Sequence, residues 1–152
     1  NGKLYTAKTN ANGVASLKLP NLAAGAYTVK YAFAGNAFYG ASKATNKLTI
    51  VPSKATAFTV KSGTTFGKGA GNSFNVALTS GTVPLAGKTV TLTVNGNTYT
   101  KTTDNNGIVS LPIDDFAVGK YTVNYAFKGD SVLNAKSESS QITVKERIKT
   151  KD

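Results

Sequence analysis

Lys61, Asn124, Asn134 and Asp115 are of the types that make an isopeptide crosslink. In that reaction a lysine amine attacks an asparagine carboxamide, a nearby carboxyl group moves the proton, and ammonia leaves. It needs a dry setting, because burial drives a lysine toward its neutral, nucleophilic form. Lys61 lies on an apolar segment that reads as a strand, so Lys61, either asparagine and Asp115 could staple two strands. The competing reading is a set of solvated polar residues, and an intact mass short of one ammonia would separate the two.

Residue type excludes most other chemistry. The chain has neither His nor Cys, which removes His-dependent nucleophiles, thiolate metal sites and disulfides. Asp114-Asp115 is the one adjacent acidic pair and falls in a loop; carboxylates nearby are too sparse for a trusted glycosidase pair or calcium cage. Asp104-Asn105-Asn106-Gly107 opens like a calcium loop but lacks the later acidic ligands, and turn chemistry accounts for it. Gly67-Lys68-Gly69-Ala70-Gly71 precedes a strand rather than a helix, whereas a phosphate cradle uses a helix N-terminus. The expectation is no enzyme, no cofactor and no metal.

Surface binding remains. Phe38, Tyr39 and Tyr99 are aromatics that could stack on sugars if exposed. Residues 1–103 hold eleven lysines and no acid, whereas residues 104–152 hold six lysines, Arg147 and all seven acids. A basic half attracts anionic wall polymer, membrane surface or nucleic acid. Scattered lysines also keep strand edges soluble, which is the simpler account. Nucleic acid is not expected as a partner, since the aromatics alternate along strands and point inward. No apolar run approaches the roughly 18 residues of a membrane span.

The elements that must position these residues come in a repeat. At an offset of 94, 20 of the 54 positions in residues 1–54 are identical to those in 95–148, without a gap. Gly25-Ala26-Tyr27-Thr28-Val29-Lys30-Tyr31-Ala32-Phe33 returns as Gly119-Lys120-Tyr121-Thr122-Val123-Asn124-Tyr125-Ala126-Phe127. The full unit reads as seven strands near residues 57–61, 73–79, 88–94, 97–103, 108–113, 121–127 and 139–145. Val90, Leu92 and Val94 alternate with threonines, which suits a half-buried pleated surface. Asn95-Gly96 between two such runs predicts a type I′ hairpin. No window shows a helical period.

Seven short strands with a turn between each pair predict an all-β fold: an immunoglobulin-like antiparallel β-sandwich in tandem array. Phe116, Gly119, Tyr121 and Val123 have the layout of a tyrosine corner, repeated by Leu22, Gly25, Tyr27 and Val29. The alternative is half-exposed strand tyrosines. The boundaries expected are 55–148 for a complete repeat, 1–54 for the last four strands of another (D–G without A–C), and 149–152 for a tail or following segment. The chain opens inside a repeat without an initiating Met, and so reads as a processed product or a piece of something longer. The half unit has two readings: a piece of a longer array, or a half sandwich completed by another copy through strand exchange.

The run Lys88-Thr-Val-Thr-Leu-Thr-Val-Asn-Gly-Asn-Thr-Tyr-Thr-Lys-Thr-Thr-Asp-Asn-Asn-Gly-Ile-Val-Ser-Leu111 resembles the repeats of adhesin-like surface proteins of methanogenic archaea. Tyr125-Ala-Phe-Lys-Gly-Asp130 and Tyr31-Ala-Phe-Ala-Gly-Asn36 are similar to group 3 bacterial Ig-like domains. Ala37-Phe38-Tyr39 keeps that family's aromatics, while Ser131-Val132-Leu133 departs from them. The resemblance implies an extracellular cell-surface module, a structural spacer acting in adhesion or assembly of an envelope or filament, without catalytic residues. Its partners would be neighbouring repeats, other copies of the chain, a surface glycan or another cell's surface. The alternative expectation is a polysaccharide-binding module for an anionic wall or surface glycan.

Overall fold

A computed structural model describes residues 2–148, so the expected 149–152 tail lies outside the described residues. The chain divides into two units, Asn1–Pro52 and Ser53–Asp152. No helix occurs among the described residues, and none is long and apolar enough to cross a membrane.

In the first unit, β1 (Gly25–Phe33) pairs antiparallel with β2 (Ser42–Ile50) along its whole length. These two strands are the only ones among its described residues. The counterparts of the expected fourth and fifth strands, in residues 2–24, therefore do not form, although Asn10–Gly13 makes its turn through Gly13 N–H to Asn10 O at 2.9 Å. The reason is visible in the second unit, where the equivalent strands form only against partners whose counterparts do not occur in residues 2–52.

Among its described residues the second unit contains nine strands rather than the seven expected. They are β3 (Ala57–Val60), β4 (Thr65–Gly67), β5 (Ser73–Ser80), β6 (Val83–Pro84), β7 (Thr89–Val94), β8 (Asn97–Thr102), β9 (Ile108–Pro112), β10 (Gly119–Phe127) and β11 (Lys136–Lys145). One sheet runs β4-β11-β10-β7-β8, and the other joins β3, β5 and β6, with β9 also pairing β5. All pairs are antiparallel except β4 with β11. The two unexpected strands, β4 and β6, are three and two residues long, too short for any alternation to show.

Side-chain alternation sets the two layers. Val90, Leu92 and Val94 of β7 and Val123, Tyr125 and Phe127 of β10 face Phe58, Phe74, Val76 and Leu78 of the other sheet, in one buried cluster. Each such aliphatic or aromatic side chain contributes about 1.5–3 kcal/mol on leaving water. The intervening Thr89, Thr91 and Thr93 lie on the opposite face of β7 and keep contact with solvent. Asn95 and Gly96 take φ of 56° and 77°, so the expected two-residue hairpin forms between β7 and β8.

The register of β1 with β2 recurs in β10 with β11: Gly25 faces Ile50 as Gly119 faces Val144, and every pair between follows at the 94-residue offset. The corner hydrogen bonds recur too. Tyr121 Oη–H donates to Ala117 O at 2.7 Å, and Tyr27 Oη–H donates to Ala23 O at 2.7 Å. Both rings are half-buried, and Tyr121 packs on Phe116 with centroids 5.1 Å apart. Tyr121→Phe is expected to lower the stability of the second unit by about 1 kcal/mol, a fall in Tm of about 4–8 °C. Thermal denaturation checks it, and an unchanged Tm would mean the hydroxyl bond adds nothing.

Candidate functional site

The four crosslink candidates do not share a dry site. Lys61 follows β3 and is exposed; its backbone N–H bonds Asn75 O at 2.8 Å. Asn124 stands on β10 between Val123 and Tyr125, so its side chain leaves the sheet on the side away from the core. Asn134 is exposed in the β10–β11 loop, where its N–H donates to Lys54 O and its carbonyl accepts from Thr56 Oγ1. Asp115 is exposed in the β9–β10 loop. Residue types made this set plausible. Exposure removes the burial that would neutralise the lysine, so the structure supports the reading as solvated side chains.

The loop carboxylates Asp104, Asp114 and Asp130 accept bonds from backbone N–H groups. Asp104 Oδ1 accepts from Asn106 N–H at 2.8 Å and Ile108 N–H at 2.9 Å. Asn10 Oδ1 does the same for Asn12 and Val14, so the turn chemistry repeats without a charge. Asp114 Oδ1 accepts from Gly71 N–H at 2.8 Å, tying the β9–β10 loop to the glycine-rich turn. That contact spans 43 residues, and no sequence signal announces it. In the same turn Gly69 and Gly71 have φ of 64° and 74°, which is turn geometry. Among the described residues no three His, Cys, Asp or Glu side chains gather as a metal site.

Asp130 is the most constrained acid. Lys88 Nζ bonds its Oδ2 at 2.7 Å, while Val132 and Leu133 N–H both donate to its Oδ1 at 2.9 Å. The lysine bond first and the Val132 bond next hold the carboxyl below the usual aspartate range; burial opposes them, and the Leu133 bond and the lysine charge add lesser lowering effects. A carboxyl lowered on folding stabilises the fold above its unfolded pKa, and the benefit fades as pH falls through the folded value. Denaturation midpoints should therefore drop below about pH 4, and Asp130→Asn should flatten that part of the profile. Asn36, at the equivalent position, supplies the same amide acceptor to Phe38 and Tyr39 N–H at 2.8 Å, so the cap itself survives the change. An identical acid slope in both chains would overturn this assignment.

The stacking candidates separate. Tyr99 is half-buried against the core of the second unit and is not a free platform, a correction to the sequence expectation. Its partner across β7–β8 is Leu92, which turns the ring toward the core. Phe38 and Tyr39 are both exposed at the β1–β2 loop. Two shallow depressions lie among the described residues, one in each unit. One, about 350 Å³, is lined mainly by polar residues, among them Thr91, Thr93, Asn124, Ser137 and Ser139, together with the charged Glu138. The other, about 630 Å³, is lined by Lys3, Tyr5, Lys18, Leu19, Pro20 and Asn21 of the first unit.

Buried polar groups that sequence reasoning passed over are structural. Thr103 Oγ1–H donates to Leu85 O at 2.6 Å and accepts from Lys88 N–H at 2.8 Å, closing the mouth of the β7–β8 hairpin. The signal was present, since Thr9 occupies the same repeat position.

No protein-family profile matches this chain, and no curated protein does. Among solved structures it is similar to a Ca2+-stabilized adhesin that helps an Antarctic bacterium reach out and bind ice. The identity is 22% over 80% of this chain and 32% of that one, at a TM-score of 0.37. It is also similar to a 1.5-MDa bacterial ice-binding adhesin described for its host cell surface retention. There the identity is 21% over 80% of this chain and 42% of that one, again at a TM-score of 0.37. The chain thus spans less than half the length of either protein.

Proposed function

We propose that this chain is an extracellular, immunoglobulin-like repeat module of a cell-surface adhesin or envelope protein, in tandem array, acting as spacer and in adhesion or assembly. The observation that carries the reading is recurrence: the same strand register and the same tyrosine hydroxyl bond return after 94 residues. Repetition of a sandwich unit builds length and surface, not a catalytic cleft. The three loop carboxylates already bonded to backbone N–H groups favour a non-enzymatic role, and the absence of His removes the usual general base. The partners in this reading are neighbouring repeats or another cell's surface.

Antibodies against this chain, applied to cells that make it, test the location. Labelling of intact cells equal to that of permeabilised cells supports the reading, and signal seen only after permeabilisation would sink it. The second reading, a glycan-binding module, keeps one favourable observation: Phe38 is 89% exposed at a loop tip held by Asn36. A glycan array probed with the chain and with Phe38→Ala decides it. Binding lost with Phe38 favours sugar stacking, and binding indifferent to Phe38 removes that site.

A further inference from the structure

Side chains that are core in one unit are surface in the other. Tyr31 is 53% exposed and Tyr125, its counterpart, 2%. Leu17 is 45% exposed against 1% for Leu111, and Tyr39 69% against 7% for Leu133. Val29 and Phe33 differ from Val123 and Phe127 in the same direction. In the second unit the cover comes from residues 55–94. Phe58 and Phe74 meet the Tyr125 ring at 5.0 and 6.0 Å and β5 pairs with β9, while Lys54, just ahead of that segment, bridges to Leu133. β7 pairs with Asn124, Tyr125 and Ala126 along the edge of β10. The equivalent edge of β1, at Lys30, Tyr31 and Ala32, has no strand beside it among the described residues.

We infer that the first unit is an open half sandwich whose partner is a segment with the pattern of residues 55–94, belonging to a repeat that enters directly ahead of Asn1. Two features select this occupant. The apolar face matches one whose cover is known residue by residue. The bare edge offers the register in which Lys30, Tyr31 and Ala32 meet positions equivalent to Thr93, Leu92 and Thr91. A second copy is the weaker occupant, because its own residues 55–94 bury Val90, Leu92 and Val94 in its second unit. Donating them would open one face to close another. The inference rests on the repeat and on exposure, independently of where the protein resides.

The test adds a second copy of residues 55–94 directly ahead of Asn1 in the full chain, and reads nitration of Tyr31 and Tyr39 by tetranitromethane. Tyr125 in the same molecule reports that the second unit has folded. The expected result is a fall of at least about tenfold in Tyr31 and Tyr39 nitration, as for groups that react only on local opening. A new cooperative thermal transition should accompany it, since a two-stranded sheet alone is marginal in water. The same extension with Asp at the position equivalent to Leu92 should leave Tyr31 reactive. Tyr31 as reactive in the extended chain as in the original, or protected equally by the Asp-bearing extension, overturns the inference. So does protection of Tyr31 in the unextended chain that rises with concentration alongside a dimer, which would assign the face to a second copy.

Discussion

Tyr125→Ala is expected to cost the second unit about 3–5 kcal/mol, the range for truncating a large aromatic in a packed core. Tyr125 is the pivot between the sheets: Phe58 meets its ring edge-on at 85°, Phe74 lies beyond, and its hydroxyl shares a 2.8 Å hydrogen bond with Ser140. Truncation removes the aromatic contacts, leaves a cavity and strips Ser140 of a partner. With about 4–8 °C lost per kcal/mol in a domain near this size, Tm should fall by at least about 12 °C. Tyr31→Ala deletes the same side chain at the same repeat position. There the ring is largely in solvent and its hydroxyl donates to Asn46 Oδ1, so the cost should stay below about 1 kcal/mol. Denaturation of both variants checks the contrast. Equal losses would mean that Tyr31 is as well covered as Tyr125.

Gly107→Ala carries the second large effect, about 3 kcal/mol, from two additive causes. Its φ of 75° lies in the left-handed region, which costs an L residue about 1–2 kcal/mol. A methyl group there would also stand 2.6 Å from Leu78 O and 3.0 Å from Leu85 N, so the loop must move away from β5. Backbone shifts of that kind cost about 1–3 kcal/mol. The shift also strains the 2.8 Å bond from Leu78 N–H to Gly107 O. Gly87→Ala isolates the first cause, because Gly87 lies in the same unit, has a φ of 69° and has nothing within 4 Å of the added carbon. Its loss should be only the conformational part. Equal effects of the two substitutions on chemical denaturation would show that the close approach to Leu78 is relieved without cost.

Legibility followed the range of the interaction. Short-range features could be read directly: the Asn95-Gly96 hairpin, the Asp104 turn and its uncharged twin at Asn10, and the hydroxyl bonds of Tyr27 and Tyr121. Each is completed within a few residues, so local composition specifies it. Contacts that close over long loops were not legible. The parallel pairing of Thr65–Gly67 with β11, the Asp114 bond to Gly71 and the half-burial of Tyr99 depend on what the chain brings alongside from far away. The crosslink set shows the same division. Its residue types were plain in the sequence, but the exposure of Lys61, Asn124, Asn134 and Asp115 is a property of the folded sheets.

By itself the sequence determined the β character, the 94-residue recurrence and the faces of β7 and β10, because alternation and turn residues act on neighbours. Tertiary structure decided which of those patterns become strands. Tyr99 sits in a strand because β7 lies beside it, while Tyr5, the same residue at the same repeat position, does not. A strand satisfies its backbone N–H and C=O groups only through another strand. Equal sequence therefore yields equal structure only where the partner is present.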